Sequence, residues 1–205
     1  KDAAIRDGKL CIRDEEYSAL FLPPVTHIKE STVGIMENFC EAGGSVIGDA
    51  LLPVECVEGE GDGFTERIER LFGVSPFKIL DGFKNNRSQQ YGIRTKENGG
   101  GGKAVFIYGP GLYRRKPVDV LKRAVLECVT PEIEIDSDEV FYLHRVKDGR
   151  DFYFIINPVE DGAEINVDIR SSGRPQIWNL ENGEIDDLPV FKRDGDRVSF
   201  RLSMQ

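Results

Sequence analysis

The sequence predicts two small domains, a three-layer α/β unit over residues 1–130 and an antiparallel β-sandwich over residues 131–205. A strand-helix-strand pattern of the parallel-sheet kind runs from Leu20 to Gly48. After Thr130-Pro131 the apolar period changes from helical to alternating. Turn dipeptides that tolerate positive φ, at Asp148-Gly149, Asp161-Gly162, Asn182-Gly183 and Asp194-Gly195, punctuate the alternating region.

Taken in order, Ala19-Leu20-Phe21-Leu22 is a short apolar run stopped by Pro23-Pro24, as suits a fully buried parallel strand. From Glu30 to Glu41, Val33, Met36, Phe39 and Cys40 form a helical stripe, with Ser31 or Thr32 near its start and Gly43-Gly44 as its stop. Ser45 to Gly48 reads as a second buried strand. Residues 51–63, rich in Glu and Gly, read as a surface loop. Phe64 to Phe72 predicts a helix with Phe64, Ile68, Leu71 and Phe72 inward and Gly73 as its end. Lys84 to Gly102 is the least organised stretch, and its Asn85-Asn86 and its run from Asn98 to Gly102 predict a mobile loop. Ala104 to Tyr108 returns as a strand. Pro117 to Val129 predicts a helix whose inward face is Val118, Leu121, Val125 and Cys128. In the second half, Ile165, Val167 and Ile169, then Val198, Phe200 and Leu202, alternate with polar residues as in half-buried strands.

A hydrophobic fraction of 40% and a charged fraction of 31% are those of a globular chain. No apolar run reaches the ~18 residues a membrane span requires. The net charge of −9 repels phosphate backbones and anionic headgroups, which argues against nucleic-acid and membrane partners. Cys11, Cys40, Cys56 and Cys128 are scattered with no zinc spacing and read as reduced and mostly buried. That pattern leaves the compartment open. The absence of an initiator methionine before Lys1 suggests a fragment or a processed chain.

No catalytic constellation can be completed. A nucleophilic cysteine belongs on an exposed strand-to-helix elbow with a histidine in reach, and Cys40 instead lies on an apolar helical stripe as a core thiol. Gly48-Asp49-Ala50 stands where an elbow would be, without Ser or Cys. Paired carboxylates for glycoside hydrolysis need a fixed separation across a cleft, and most acids here fall in turns or on outward strand faces. The acidic run Glu132, Glu134, Asp136, Asp138 and Glu139 offers oxygens to calcium but lacks the Gly at the sixth loop position that an EF-hand needs, and reads as a charged edge strand. Neither a metal nor a cofactor is expected. Parallel sheets expose ligands beyond their carboxyl ends, which makes His27, Asp49 and Glu55 candidate ligand-binding residues. His144 and Arg145, beside Tyr142 on a predicted strand, would offer a ring and a cation to a sugar or carboxylate. Trp178, the single tryptophan, reads as a sandwich core residue, with sugar stacking as the alternative.

Two stretches carry a family resemblance. Tyr17 to Pro24, the following helix and Glu41-Ala42-Gly43-Gly44-Ser45-Val46-Ile47 resemble a segment of the class I glutamine-amidotransferase-like, flavodoxin-like domains built into large bacterial glycoside hydrolases. Val140 to Arg145, Phe152 to Asn157, Gly173 to Asn179 and Asn182-Gly183 are similar to the β-sandwich that follows in multidomain α-L-rhamnosidase-like and β-galactosidase-like enzymes. The cysteine nucleophile and histidine of true amidotransferases are not in place, and the barrel that bears the catalytic carboxylates lies outside these motifs. The resemblance therefore implies a non-catalytic accessory or C-terminal portion of a carbohydrate-active enzyme. Its expected partners are a catalytic glycoside hydrolase domain of the same parent chain, or further copies in a homo-oligomer, and carbohydrate. A stand-alone degenerate amidotransferase-like hydrolase and a carbohydrate-binding module are the alternative readings.

Overall fold

In the computed structural model, which describes residues 3–58, 63–85, 90–110 and 116–204, the chain enters through an antiparallel meander. It consists of β1 (Ala3–Arg6), β2 (Lys9–Ile12) and β3 (Glu15–Tyr17). The apolar pattern does not announce this sheet. Its signal is Asp7-Gly8, both at positive φ, which closes the first hairpin.

There follow β4 (Ala19–Leu22), β5 (His27–Ile28), α1 (Glu30–Glu41), β6 (Ser45–Asp49), β7 (Glu55–Cys56), α2 (Phe64–Phe72), α3 (Pro76–Lys84), β8 (Gly92–Glu97), β9 (Lys103–Tyr108) and α4 (Val118–Leu126). Four strands form one sheet in the order β4-β6-β9-β8, with β4, β6 and β9 parallel and β8 antiparallel. Strand pleat sends Val46, Ala104 and Phe106 to one face and Ile47, Val105 and Ile107 to the other. Val33, Met36, Phe39 and Cys40 of α1, with Phe64, Ile68, Leu71 and Phe72 of α2, cover the first face; Val120 and Ala124 of α4 cover the second. Phe39 is fully buried, and removing its ring would cost about 3–5 kcal/mol. Arg67 of α2 donates to both carboxylate oxygens of Glu37 and to Glu30, tying α2 to α1 at 2.6 to 3.2 Å.

Several expectations are corrected here. β4 is an edge strand, and Phe21 on it is 48% exposed. The N-cap of α1 is Lys29 and makes no side-chain cap, so neither Ser31 nor Thr32 caps it. Leu51, Leu52, Pro53 and Val54 are buried and lead into β7, which pairs in parallel with β5; residues 59–62 of the expected loop lie outside the described residues. The stretch read as least organised contains α3's last residue and β8, although its residues 86–89 are again outside those described. Glycines 99–101 make one 3-10 turn laid against the end of α1. A Cβ on Gly100 or Gly102 would overlap the carbonyl oxygen of Glu41 or Cys40, so these glycines permit backbone contact instead of conferring mobility. In α4 the buried stripe is Val120 and Ala124 with Leu121 and Cys128 beside them, whereas Val118 and Val125 are exposed.

Residues 131–205 form a second unit, separate from residues 1–130. Among its described residues every regular element is a strand: β10 (Ile133–Ile135), β11 (Phe141–Lys147), β12 (Arg150–Ile156), β13 (Ala163–Arg170), β14 (Gln176–Trp178), β15 (Ile185–Asp187), β16 (Lys192–Asp194) and β17 (Arg197–Met204). A four-stranded antiparallel sheet has the order β10-β13-β17-β16, and β11-β12 and β14-β15 are separate hairpins. Ile165, Val167 and Ile169 pair across with Leu202, Phe200 and Val198, so their shared face makes the core; Tyr153 and Ile155 of β12 pack onto it. Asp148-Gly149 turns β11 into β12, both residues at positive φ. Asp161-Gly162 closes no hairpin, because β12 and β13 are not paired. Arg197 binds Asp168 through Nε, the Pro131 carbonyl at 3.0 Å and Glu134 at 3.4 Å, which staples β10, β13 and β17.

Candidate functional site

The carboxyl edge of the parallel strands is where ligand chemistry is expected, and two polar groups occupy it. Asp49 ends β6 on the face covered by α4, as the pleat that places Ile47 there requires. It is 7% exposed. Lys116, just before α4, donates from Nζ to Asp49 Oδ2 at 2.8 Å, while Oδ1 is buried without a hydrogen bond. Ala50 follows at φ 55, a left-handed turn at the strand's end that a β-carbon makes costly. The pair is a buried carboxylate held by the Lys116 ammonium.

His27 and Glu55 are directly opposite in the β5-β7 ladder. His27 Nε2 lies 2.9 Å from Glu55 Oε2, and Nδ1 lies 2.8 Å from Thr26 Oγ1. Thr26 donating to Nδ1 and Nε2–H donating to Glu55 satisfies all three groups. Hydroxyl, imidazole and carboxylate thus stand in series, but the side chains of His27 and Glu55 are 56% and 67% exposed. Charge developing beside them would be screened by water, so the string lacks the excluded setting that makes such groups catalytic. The structure brings His27 and Glu55 together and gives Asp49 a different partner, Lys116.

His144 and Arg145 do not act together, because adjacent strand residues point to opposite faces. His144 stacks on Tyr153 with ring centroids 4.4 Å apart and sits between Asp151 at 2.9 Å and Glu132 at 3.2 Å. Burial, reinforced by the anionic Asp151 and Glu132, pushes the Tyr153 phenol up to about 12. Arg145 lies opposite Phe152 and lines a groove of about 860 Å³. Trp178 lines it too, 49% exposed and edge-on to Phe152 at 5.4 Å, which corrects the expectation of a core tryptophan.

The four cysteines are free thiols. Burial pushes the Cys40 thiol up to about 12, and burial also raises that of Cys128. Of the acidic run, Glu132 faces His144, Glu134 faces Arg197, and Asp136 accepts from Asn166 at 2.6 and 2.7 Å. Among the described residues no cluster of three or more potential metal ligands is assembled. Sequence reasoning did not single out Lys116 or Thr26. Lys116 carried one usable signal, a cation just ahead of a helix that follows the strand beside β6.

No protein-family model matches the chain. A protein of Formosa agariphila named as a beta-glucuronidase is 27% identical over 201 residues, spanning 95% of this chain and 14% of that protein. Among solved structures, a rhamnosidase from Novosphingobium sp. PP1Y superposes with a TM-score of 0.60 at 15% identity, over 99% of this chain and 17% of the rhamnosidase. A GH42 beta-galactosidase from G. stearothermophilus gives a TM-score of 0.54 at 13% identity, over 91% of this chain and 32% of the enzyme. The mixed α/β fold of this chain therefore recurs as a minor part of much longer glycoside hydrolases.

Proposed function

We propose that the chain is a non-catalytic accessory or C-terminal portion of a glycoside hydrolase, which braces or completes the cleft of a separate catalytic domain or mediates oligomerisation. In this reading residues 1–130 are a flavodoxin-like, glutamine-amidotransferase-like domain and residues 131–205 a small β-sandwich. The observation that carries it is the asymmetry of coverage: nearly all of this chain corresponds to a minor share of each enzyme it resembles. The chemistry of the carboxyl edge supports it as well, since its buried carboxylate is neutralised by Lys116 and its histidine is open to water. Of the residues expected to meet ligand, His27, Glu55 and Arg145 are accessible, whereas Asp49 and His144 are held by neighbouring side chains.

The test is to express the reading frame that encodes this chain with and without residues 1–205. The whole protein is expected to release sugar from a glycoside, and the deletion to lower its turnover or thermal stability. A reading frame that specifies no catalytic domain overturns the proposal.

A further inference from the structure

The register of the β11-β12 hairpin sorts its side chains by chemistry. Opposed pairs share a face, so Leu143 with Phe154, Arg145 with Phe152, and Lys147 with Arg150 all project from the same side. That side carries three cations and no carboxylate. The other side carries Tyr142, His144, Asp151 and Tyr153, and both Tyr153 and Ile155 pack toward the core. Like charges directly opposite in a ladder repel, yet Lys147 and Arg150 face one another at the hairpin's end. Neither Arg145 nor Arg150 has an ion pair among the described residues.

Arg145 and Arg150 of that face line the groove of about 860 Å³, as do Trp178 and Arg174. Arg174 keeps only a long pair, 3.5 Å, with Asp187. Among the described residues Asp151 is the one acid on the lining, and it faces His144. In a chain of net charge −9, three arginines around exposed aromatic rings make a local field opposite in sign to the molecule's own.

We infer that this groove binds an anionic saccharide, a chain of sugar rings bearing carboxylates. The ring faces would stack on Trp178 and Phe152, and the guanidinium groups of Arg145, Arg150 and Arg174 would take the carboxylates in forked hydrogen bonds. A neutral glycan satisfies the aromatic surface and leaves Arg145 and Arg150 unanswered. A carboxylated one satisfies both. The choice of saccharide over another anion rests on the function proposed above, whose own test reads hydrolysis and not binding.

Trp178 is the single tryptophan, so its emission reports this groove alone. The full chain is titrated with an oligogalacturonate and, separately, with a cello-oligosaccharide of equal length. The expected result is a saturable change in emission with the uronate only, weakening as salt is added. Arg145→Gln with Arg150→Gln should weaken binding at least tenfold, while Lys192→Gln on β16, outside the groove, leaves it unchanged. An equal response to both glycans, or no response to either, overturns the inference. So does emission that follows protein concentration and not glycan, which would assign the face to a protein contact. Because wild-type selectivity is read directly, the outcome does not depend on the double variant folding.

Discussion

Lys116 Nζ lies 2.8 Å from Asp49 Oδ2 and neutralises a carboxylate buried at the end of the central parallel strand. Removing either partner strands an uncompensated charge in a low-dielectric setting. Lys116→Met should therefore destabilise residues 1–130 by about 3–5 kcal/mol, whereas Lys116→Met with Asp49→Asn should recover part of the loss. Urea denaturation of the single and double variants measures both. Equal stability of Lys116→Met and wild type would mean that the pair does not form.

The glycine turn gives a sharper contrast. Gly100 stands at φ 64 with its missing Cβ directed at the carbonyl of Glu41, whereas Gly101, at φ 83, has open space around it. Gly101→Ala should cost about 1–2 kcal/mol from the left-handed backbone alone. Gly100→Ala adds a collision with backbone that cannot rotate away, and its cost should reach about 3 kcal/mol or more. Thermal melts rank the two, and a reversed order would refute the packing of this turn on α1.

Thiol chemistry should separate native from unfolded chain. Cys40, fully buried and pushed up to about 12, should resist iodoacetamide at neutral pH and label only after unfolding. Mass spectrometry of the labelled peptides gives the answer. Fast labelling of Cys40 in the folded protein would revive the amidotransferase-like hydrolase reading.

Asp168 sets a pH dependence for the second unit. The hydrogen bond donated by Ser199, then that from Arg197, holds its carboxyl below the usual carboxylate range. A folded value below the unfolded one contributes stability that is present above the ordinary value, about 4, and is lost as pH falls through the lower folded value. Asp168→Asn should thus be less stable than wild type at neutral pH, and the gap should narrow in acid. Denaturation at neutral pH and at acid pH checks this; a gap that widens in acid contradicts it.

The elements with uniform burial were the most legible. The stripe Val33, Met36, Phe39, Cys40 and the residues Phe64, Ile68, Leu71, Phe72 are buried as their spacing requires, because both helices present one face to a sheet. In α4 the small Ala124 takes the inward place that Val118 and Val125 were expected to fill, and spacing alone does not rank Ala above Val. Polarity misled at Gly99 to Gly102, where glycine serves backbone approach, and at β1 to β3, whose short strands bury only Leu10 and Cys11. At the site, His27 and Glu55 were named without any sign that they pair, since only the β5-β7 register brings residues 28 positions apart together. The separation of His144 from Arg145 was legible in principle, because it follows from strand alternation alone.

Incubating the purified 205-residue chain with aryl β-glucuronide, α-L-rhamnoside and β-galactoside most directly tests whether it acts without a catalytic partner. No release of the aryl group above the buffer rate is expected from any of the three. Sustained turnover of one of them by the chain alone, lost on substitution of His27 or Glu55, would contradict the account.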